Sequence, residues 1–328
     1  MKTLLTGATG FVGSAVLRLL LDAGHEVRVL TRPGNNRRNL ENLDIELCEG
    51  DLNDPDSLRR AVNHCDYLFH VAADYRLWIP APEAIYKTNV DGTRNLMLSA
   101  ADAGVKKMIY TSSVATLGLN KNREPANETT PVTLADMVGH YKRSKFLAEQ
   151  TVQELVQKNK LPIIIVNPST PIGPRDIKPT PTGRIIVDMI NGKMPAYVDT
   201  GLNVAHVDDV ARGHLLAFEK GETGERYILG GENMTLKMIL EEIADIASMK
   251  PPRICMPHNA VLPIAWLAEQ WAKVSKKEPF ATIDGVNMAR KYMFFSCDKA
   301  REKLDYNPRP AREAIATAIH WFRENGYC

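Results

Sequence analysis

Thr6-Gly7-Ala8-Thr9-Gly10-Phe11-Val12-Gly13 lies between an apolar, β-branched run, Lys2 to Thr6, and an amphipathic run, Phe11 to Asp22. The first run has the pattern of a buried strand and the second the period of a helix. The glycines between them serve different ends. Gly7 admits a tight turn, Gly10 lets backbone approach a pyrophosphate, and Gly13 lets the helix lie close on the strand. The amides at the helix start, with Thr9, Phe11 and Val12 around them, would then face the anion. A glycine triplet is weak alone; between a strand and a helix it predicts a dinucleotide-binding α/β fold.

Outward from this turn, short apolar runs alternate with helical patterns. Strands are expected over Glu26 to Thr31, Ile45 to Glu49, Tyr67 to Val71, Lys107 to Thr111 and Pro162 to Asn167. Helices are expected over Asp56 to Asn63, Glu83 to Ala103 and Tyr141 to Lys158. Such alternation predicts a doubly wound parallel sheet, a Rossmann fold, with helices on both faces. After Pro168 the prolines cluster and suggest loops and short elements. The expected division is a dinucleotide-binding domain over 1–170 and a smaller, mainly substrate-binding C-terminal lobe over 171–328. The chain is expected to return to the first domain near 201–230 and 310–325, and Ala311 to Glu324 reads as a closing amphipathic helix.

The composition excludes several classes. The 328 residues are 44% apolar and 24% charged with a net charge of +2, which gives no basic excess for nucleic-acid binding. The five cysteines are scattered, without a Cys-x-x-Cys pair, as expected of free thiols and not of a zinc site. Glycines interrupt the N-terminal apolar run too early for a signal peptide, and no stretch approaches the ~18 apolar residues of a membrane span. A cytoplasmic protein is expected. Ile264, Leu267, Ala268, Trp271 and Val274 in Pro263 to Lys277 share a helical face followed by lysines. That helix reads as a lid or core element, with a membrane-surface role, peripheral to the bilayer, as the alternative.

Which dinucleotide binds depends on the end of the second strand. An acid there would hold the ribose hydroxyls of NAD. The sequence has Leu30-Thr31-Arg32 instead, so Arg32 is available to clamp a 2′-phosphate, with Arg37 or Arg38 as a second contact. NADP(H) is therefore expected over NAD(H). At the end of the fourth strand, the small residues Val71, Ala72 and Ala73 leave room for a cofactor along the sheet edge.

Tyr141-Lys142-Arg143-Ser144-Lys145 places Tyr141 and Lys145 on one helical face. A phenol is a poor acid–base group near neutrality, and an adjacent ammonium would lower its pKa. Lys145 can also hold the nicotinamide ribose. The Thr111-Ser112-Ser113 stretch closes the fifth strand, where a hydroxyl points into the ligand cleft of such sheets. Together these residues predict hydride transfer at a carbinol or ketone carbon.

The Gly-x-x-Gly-x-x-Gly spacing, with Thr6 and Phe11, resembles the extended short-chain dehydrogenase/reductase superfamily. The resemblance implies that Asp51 and Leu52 lie against the adenine and that Pro168 and Thr170 contact the cofactor. It selects Ser113 by its distance from Gly118, with Ser112 as the fallback, and gives Asn89 either a backbone-bonding or a proton-relay role. It also implies a homodimer, with Leu96, Leu98, Phe146 and Leu155 available for a helical seam. The Asn167 to Pro174 stretch is similar to dihydroflavonol 4-reductase-like enzymes. His140 to Phe146, Lys178 to Arg184, His206 to Val210 and Asp74-Tyr75-Arg76-Leu77-Trp78 look like the bacterial hopanoid-associated sugar epimerase group. A reductase or an epimerase acting on a sugar or hopanoid intermediate is implied; the competing class is a non-catalytic NADP-sensing protein. Asp74, Tyr75, Arg76, Arg175 and Arg184 are the substrate candidates, the last two in the loop after the sixth strand.

Overall fold

A computed structural model describes residues 1–76, 78, 82–276, 279 and 281–328. Leu77 and Lys277, singled out above, lie outside the described residues. The first part of the chain forms β1 (Lys2–Thr6), α1 (Phe11–Asp22), β2 (Glu26–Thr31), β3 (Glu46–Glu49), α2 (Pro55–Val62), β4 (Tyr67–His70), α3 (Glu83–Tyr86), α4 (Gly92–Asp102), β5 (Lys107–Thr111), α5 (Gly139–Asn159) and β6 (Ile163–Pro168). There follow β7 (Thr170–Ile172), α6 (Pro181–Ile190), β8 (Ala196–Val198), β9 (Gly201–His206), α7 (Val207–Lys220) and β10 (Arg226–Leu229). The chain closes with β11 (Glu232–Thr235), α8 (Leu236–Ala247), β12 (Ile254–Met256), α9 (His258–Ser275), α10 (Ile283–Ala289), β13 (Tyr292–Met293), α11 (Asp298–Leu304) and α12 (Ala311–Glu324).

The main sheet has seven parallel strands in the order β10-β6-β5-β4-β1-β2-β3. The chain runs outward from β1 to β3 and returns at β4, so the switch point lies between β1 and β4, where a crevice opens at the strands' C-terminal ends. Successive residues of β5 serve opposite faces. Ile109 joins an apolar layer with Leu17, Val29 and Leu216, whereas Met108 and Tyr110 join a second layer with Leu58, Leu96 and Val152. A third cluster gathers Ile186, Met189, Leu240, Ile315 and Phe322 from α6, α8 and α12.

The structure departs from the sequence reading at several points. Within 201–230 the chain returns through α7, whose Val210, Ala211 and Leu216 join the layer of α1, and through β10 at the sheet edge, whereas β9 pairs with β7, β11 and β13 in a separate four-stranded sheet. The prolines after β6 also mislead. Pro181 starts α6, where a missing amide is harmless, and Thr180 caps it by accepting from Gly183 N at 3.2 Å. The helical stretch from Glu83 is broken by a π turn at Lys87–Asp91. Leu96, Phe146 and Leu155, assigned to a dimer seam, are buried within the protomer, so they cannot also cover a partner.

Helix α9 is inverted relative to the lid-or-core expectation. It packs through the small side chains Ala265, Ala268 and Ala272, which leaves Ile264, Trp266, Leu267, Trp271 and Val274 outside, Trp271 being 70% and Val274 75% exposed.

Candidate active site

The turn after β1 is built for close approach. Gly7 has φ +80°, and a Cβ there would meet Ala72 N at 2.6 Å; at Gly13 it would meet Gly7 O at 2.0 Å. These two glycines seat the turn against β4's continuation and α1 against the turn. A Cβ at Gly10 would meet only Gly7 O, at 3.3 Å, so Gly10 faces open space. Helix α1 starts there with extended backbone and no side-chain cap, leaving its first amides to face the crevice. This uncapped, Cβ-free cradle fits a dinucleotide pyrophosphate. Thr9, Phe11 and Val12 flank it, half-buried.

Around the cradle the expected contacts have different surroundings. Arg32 is exposed at the end of β2 and forms no ion pair among the described residues. Arg37 pairs with Glu49, and Arg38 reaches Asn325 Oδ1 at 2.5 Å, so both already have partners. Asp51 accepts from Asn53 N at 2.8 Å, and Leu52 is buried against Gly92. Val71, Ala72 and Ala73 continue β4 half-buried, with Ala72 N held by Thr6 Oγ1 at 3.1 Å. Pro168 ends β6 and Thr170 opens β7 on the same side.

Helix α5 sets Tyr141 and Lys145 against the end of β5. The Tyr141 hydroxyl lies near enough to the Ser113 side chain for Ser113 to favour the phenolate. Ser113 follows β5, and its Oγ accepts from Ala115 N at 3.1 Å, which fixes the hydroxyl. Ser112 is turned away; its hydroxyl donates to the buried Glu149. One turn after Tyr141, Lys145 Nζ donates to Thr111 O at 2.8 Å and Tyr110 Oη at 3.3 Å. Burial pushes the Lys145 ammonium down to about 8, opposed by Glu149. The expected lowering of Tyr141 by Lys145 does not occur here. Burial pushes the Tyr141 phenol up, and the nearby Ser113 offsets only part of that.

The sequence reading missed Glu149, one further turn along α5. Its carboxylate accepts from Ser112, Thr116 Oγ1 (2.8 Å), Asn167 Nδ2 (2.9 Å) and Arg226 Nη1 (2.9 Å). It ties α5 to the ends of β5 and β6 and to β10 beneath the Tyr141–Ser113 pair. The four-residue repeat Tyr141, Lys145, Glu149 was the available signal. Asn89 is a backbone clamp: it accepts from Asp74 N at 2.8 Å and donates to Asp74 O and Ser144 Oγ, each at 2.9 Å.

The substrate candidates divide. Asp74 and Arg76 pair with each other; burial disfavours the Asp74 carboxylate, but the Arg76 hydrogen bonds outweigh it and hold the acid below its ordinary range. Tyr75 is exposed beside them, and Trp78 is half-buried. Arg175 is committed to Asp208, and Arg184 lies in α6, not in a loop. The described residues hold no cluster fit for a metal ion, and no helix of theirs is long and apolar enough to cross a membrane.

Residues 3–230 match the model of the NAD dependent epimerase/dehydratase family. The chain belongs to this family. It is an enzyme family of the extended short-chain dehydrogenase/reductase type, as the glycine spacing implied. A putative dihydroflavonol 4-reductase of Synechocystis sp. is 44% identical over 98% of this chain and 94% of its own. Sterol demethylase protein B of Methylococcus capsulatus is 33% identical over 99% of each chain. Among solved structures, gox2253 is 55% identical with a TM-score of 0.89, covering 99% of this chain and 98% of that one. A nucleoside-diphosphate-sugar epimerase from Pseudomonas aeruginosa superposes with a TM-score of 0.80 at 27% identity, covering 100% and 99%.

Proposed function

We propose that the enzyme is an NADP(H)-dependent reductase acting on a ketone carbon of a lipid-derived intermediate, of hopanoid or sterol type. The observation that carries this reading is the Tyr141 phenol, held protonated by burial and aimed by Ser113. A neutral phenol is what ketone reduction needs as proton donor. Tyr141 gives its proton to the carbonyl oxygen, Ser113 holds that oxygen, and Lys145 anchors the nicotinamide ribose. The bound dinucleotide supplies the hydride. The glycine turn holds the pyrophosphate, Asp51 and Leu52 the adenosine, and Val71, Ala72, Ala73, Pro168 and Thr170 the nicotinamide half. The relative named as a putative dihydroflavonol 4-reductase spans nearly the whole chain and supports reduction, and the one named as a sterol demethylase protein supports a sterol-type substrate. The test is NADPH consumption with hopanoid, sterol and sugar ketones; a product formed with no net NADPH loss overturns it in favour of epimerisation.

NADP(H) is proposed over NAD(H) because Arg32, exposed and without an ion pair among the described residues, stands where an acid would hold the ribose hydroxyls of NAD. Arg32→Ala should narrow the affinity gap between the two dinucleotides by about 1–3 kcal/mol, the scale of a charge-assisted contact. Equal affinities in the unaltered enzyme, by calorimetric titration, would contradict this.

The outward face of α9 supports a peripheral place on membranes. Trp266, Leu267, Trp271 and Val274 lie beside exposed Lys273 and Lys276, the pairing that suits an anionic bilayer interface. The enzyme should co-sediment with phosphatidylglycerol vesicles, less with phosphatidylcholine vesicles, and Trp271→Ser should weaken both. Full recovery in the supernatant would count against it.

A further inference from the structure

Beside the Ser113 loop lies a cavity of about 500 Å³ whose lining includes Ala115, Leu117, Arg123, Lys142, Arg290 and Lys291. Lys142 is only 8% exposed, yet among the described residues its ammonium finds nothing better than the thioether Sδ of Met293, at 3.7 Å. A thioether is a weak acceptor, and a buried ammonium without a partner is unfavourable. Neither carboxylate of the lining is bonded to Lys142, although Asp136 feels the charge of Lys291. Asp136 accepts from Thr133 N at 2.9 Å and Thr133 Oγ1 at 2.7 Å, while Asp199 holds Arg123 and Tyr292. Lys291 aggravates the imbalance; after burial, its charge is the other cause that pushes Lys142 down to about 8.

We propose that Lys142 and Lys291 form a seat for an anionic group, a carboxylate or a phosphate, carried by the substrate. An oxyanion between them would pair the buried ammonium and relieve the repulsion with Lys291. Lys142 follows Tyr141 on α5 and the lining begins at Ala115, two residues after Ser113, so the cavity borders the segments that carry the proposed catalytic pair. This rests on the reading of the Tyr141 cleft as the substrate site. The arginine of the post-β6 loop, Arg175, is paired with Asp208, so the cavity cations replace it as anion holders.

The test uses the full chain saturated with NADP at pH 7, so that the glycine turn and Arg32 are covered. Pyrophosphate and malonate are titrated by calorimetry, and acetylation of Lys142 by acetic anhydride is followed by mass spectrometry. At least one anion should bind and protect Lys142; which one does identifies a phosphate or a carboxylate source. Lys142→Met and Lys291→Met should each weaken binding about tenfold or more, the scale of a lost charge-assisted contact. If Lys142→Met does not fold, the exposed Lys291→Met and the protection of Lys142 decide. Binding of neither anion, or binding unchanged by both substitutions, overturns the proposal. Anion binding is independent of turnover. Its loss with Tyr141-dependent reduction intact refutes the seat alone, and its persistence where Tyr141→Phe retains turnover refutes the reductase assignment alone.

Discussion

Tyr141→Phe should lower turnover by ~10²-fold or more while leaving dinucleotide affinity nearly unchanged. The substitution keeps the ring but deletes the hydroxyl that, in the proposed mechanism, lies by Ser113 and gives its proton to the substrate oxygen. The glycine turn, Arg32 and Lys145 remain, so binding should survive. Lys145→Met should damage both properties, because the proposed mechanism gives its ammonium, buried on Thr111 O, the ribose to hold. Stopped-flow turnover and calorimetric Kd separate the two effects. Near-full turnover in Tyr141→Phe would move the proton to another group or to water.

The second large effect is on stability. Glu149 is a buried acid with five side-chain donors, Ser112, Thr116, Gln153, Asn167 and Arg226, and the last of these is itself three-quarters buried, with 25% exposure. Glu149→Ala removes every acceptor at once and leaves Arg226 buried without its counter-charge. The loss should be about 3–5 kcal/mol, the range for breaking a buried charge pair. Glu149→Gln keeps the shape and should lose less. Urea unfolding followed by circular dichroism reads both; a loss under about 1 kcal/mol for the alanine variant would show that the network is not what fixes α5 to the sheet.

Much of this architecture could be read from local signals. Lys2–Thr6, Glu26–Thr31 and Phe11–Asp22 have the residues expected for them, because apolar period and turn glycines act locally. Tyr141 and Lys145 were legible for the same reason: a four-residue spacing is a helix property. What failed depends on tertiary partners. Whether β9 pairs with β10's neighbours or with β7 is set by long-range register, which no local period encodes. The outward face of α9 is decided by whether alanines or tryptophans find a close partner. Lys142 carries no sequence mark at all; only folding reveals a buried ammonium without an anion. The orientation of Lys145 toward Thr111, and so the unlowered Tyr141 phenol, likewise emerges only when α5 docks on β5.

The central claim is net reduction driven by a protonated Tyr141. NADPH deuterated at nicotinamide C4 on the transferred face, supplied with the ketone that supports turnover, tests it directly. Mass spectrometry should find one deuterium on the product's carbinol carbon for each NADPH oxidised, with the label absent from the recovered NADP. A product isomeric with its substrate, unlabelled, with the deuterium still on the recovered cofactor, would contradict it.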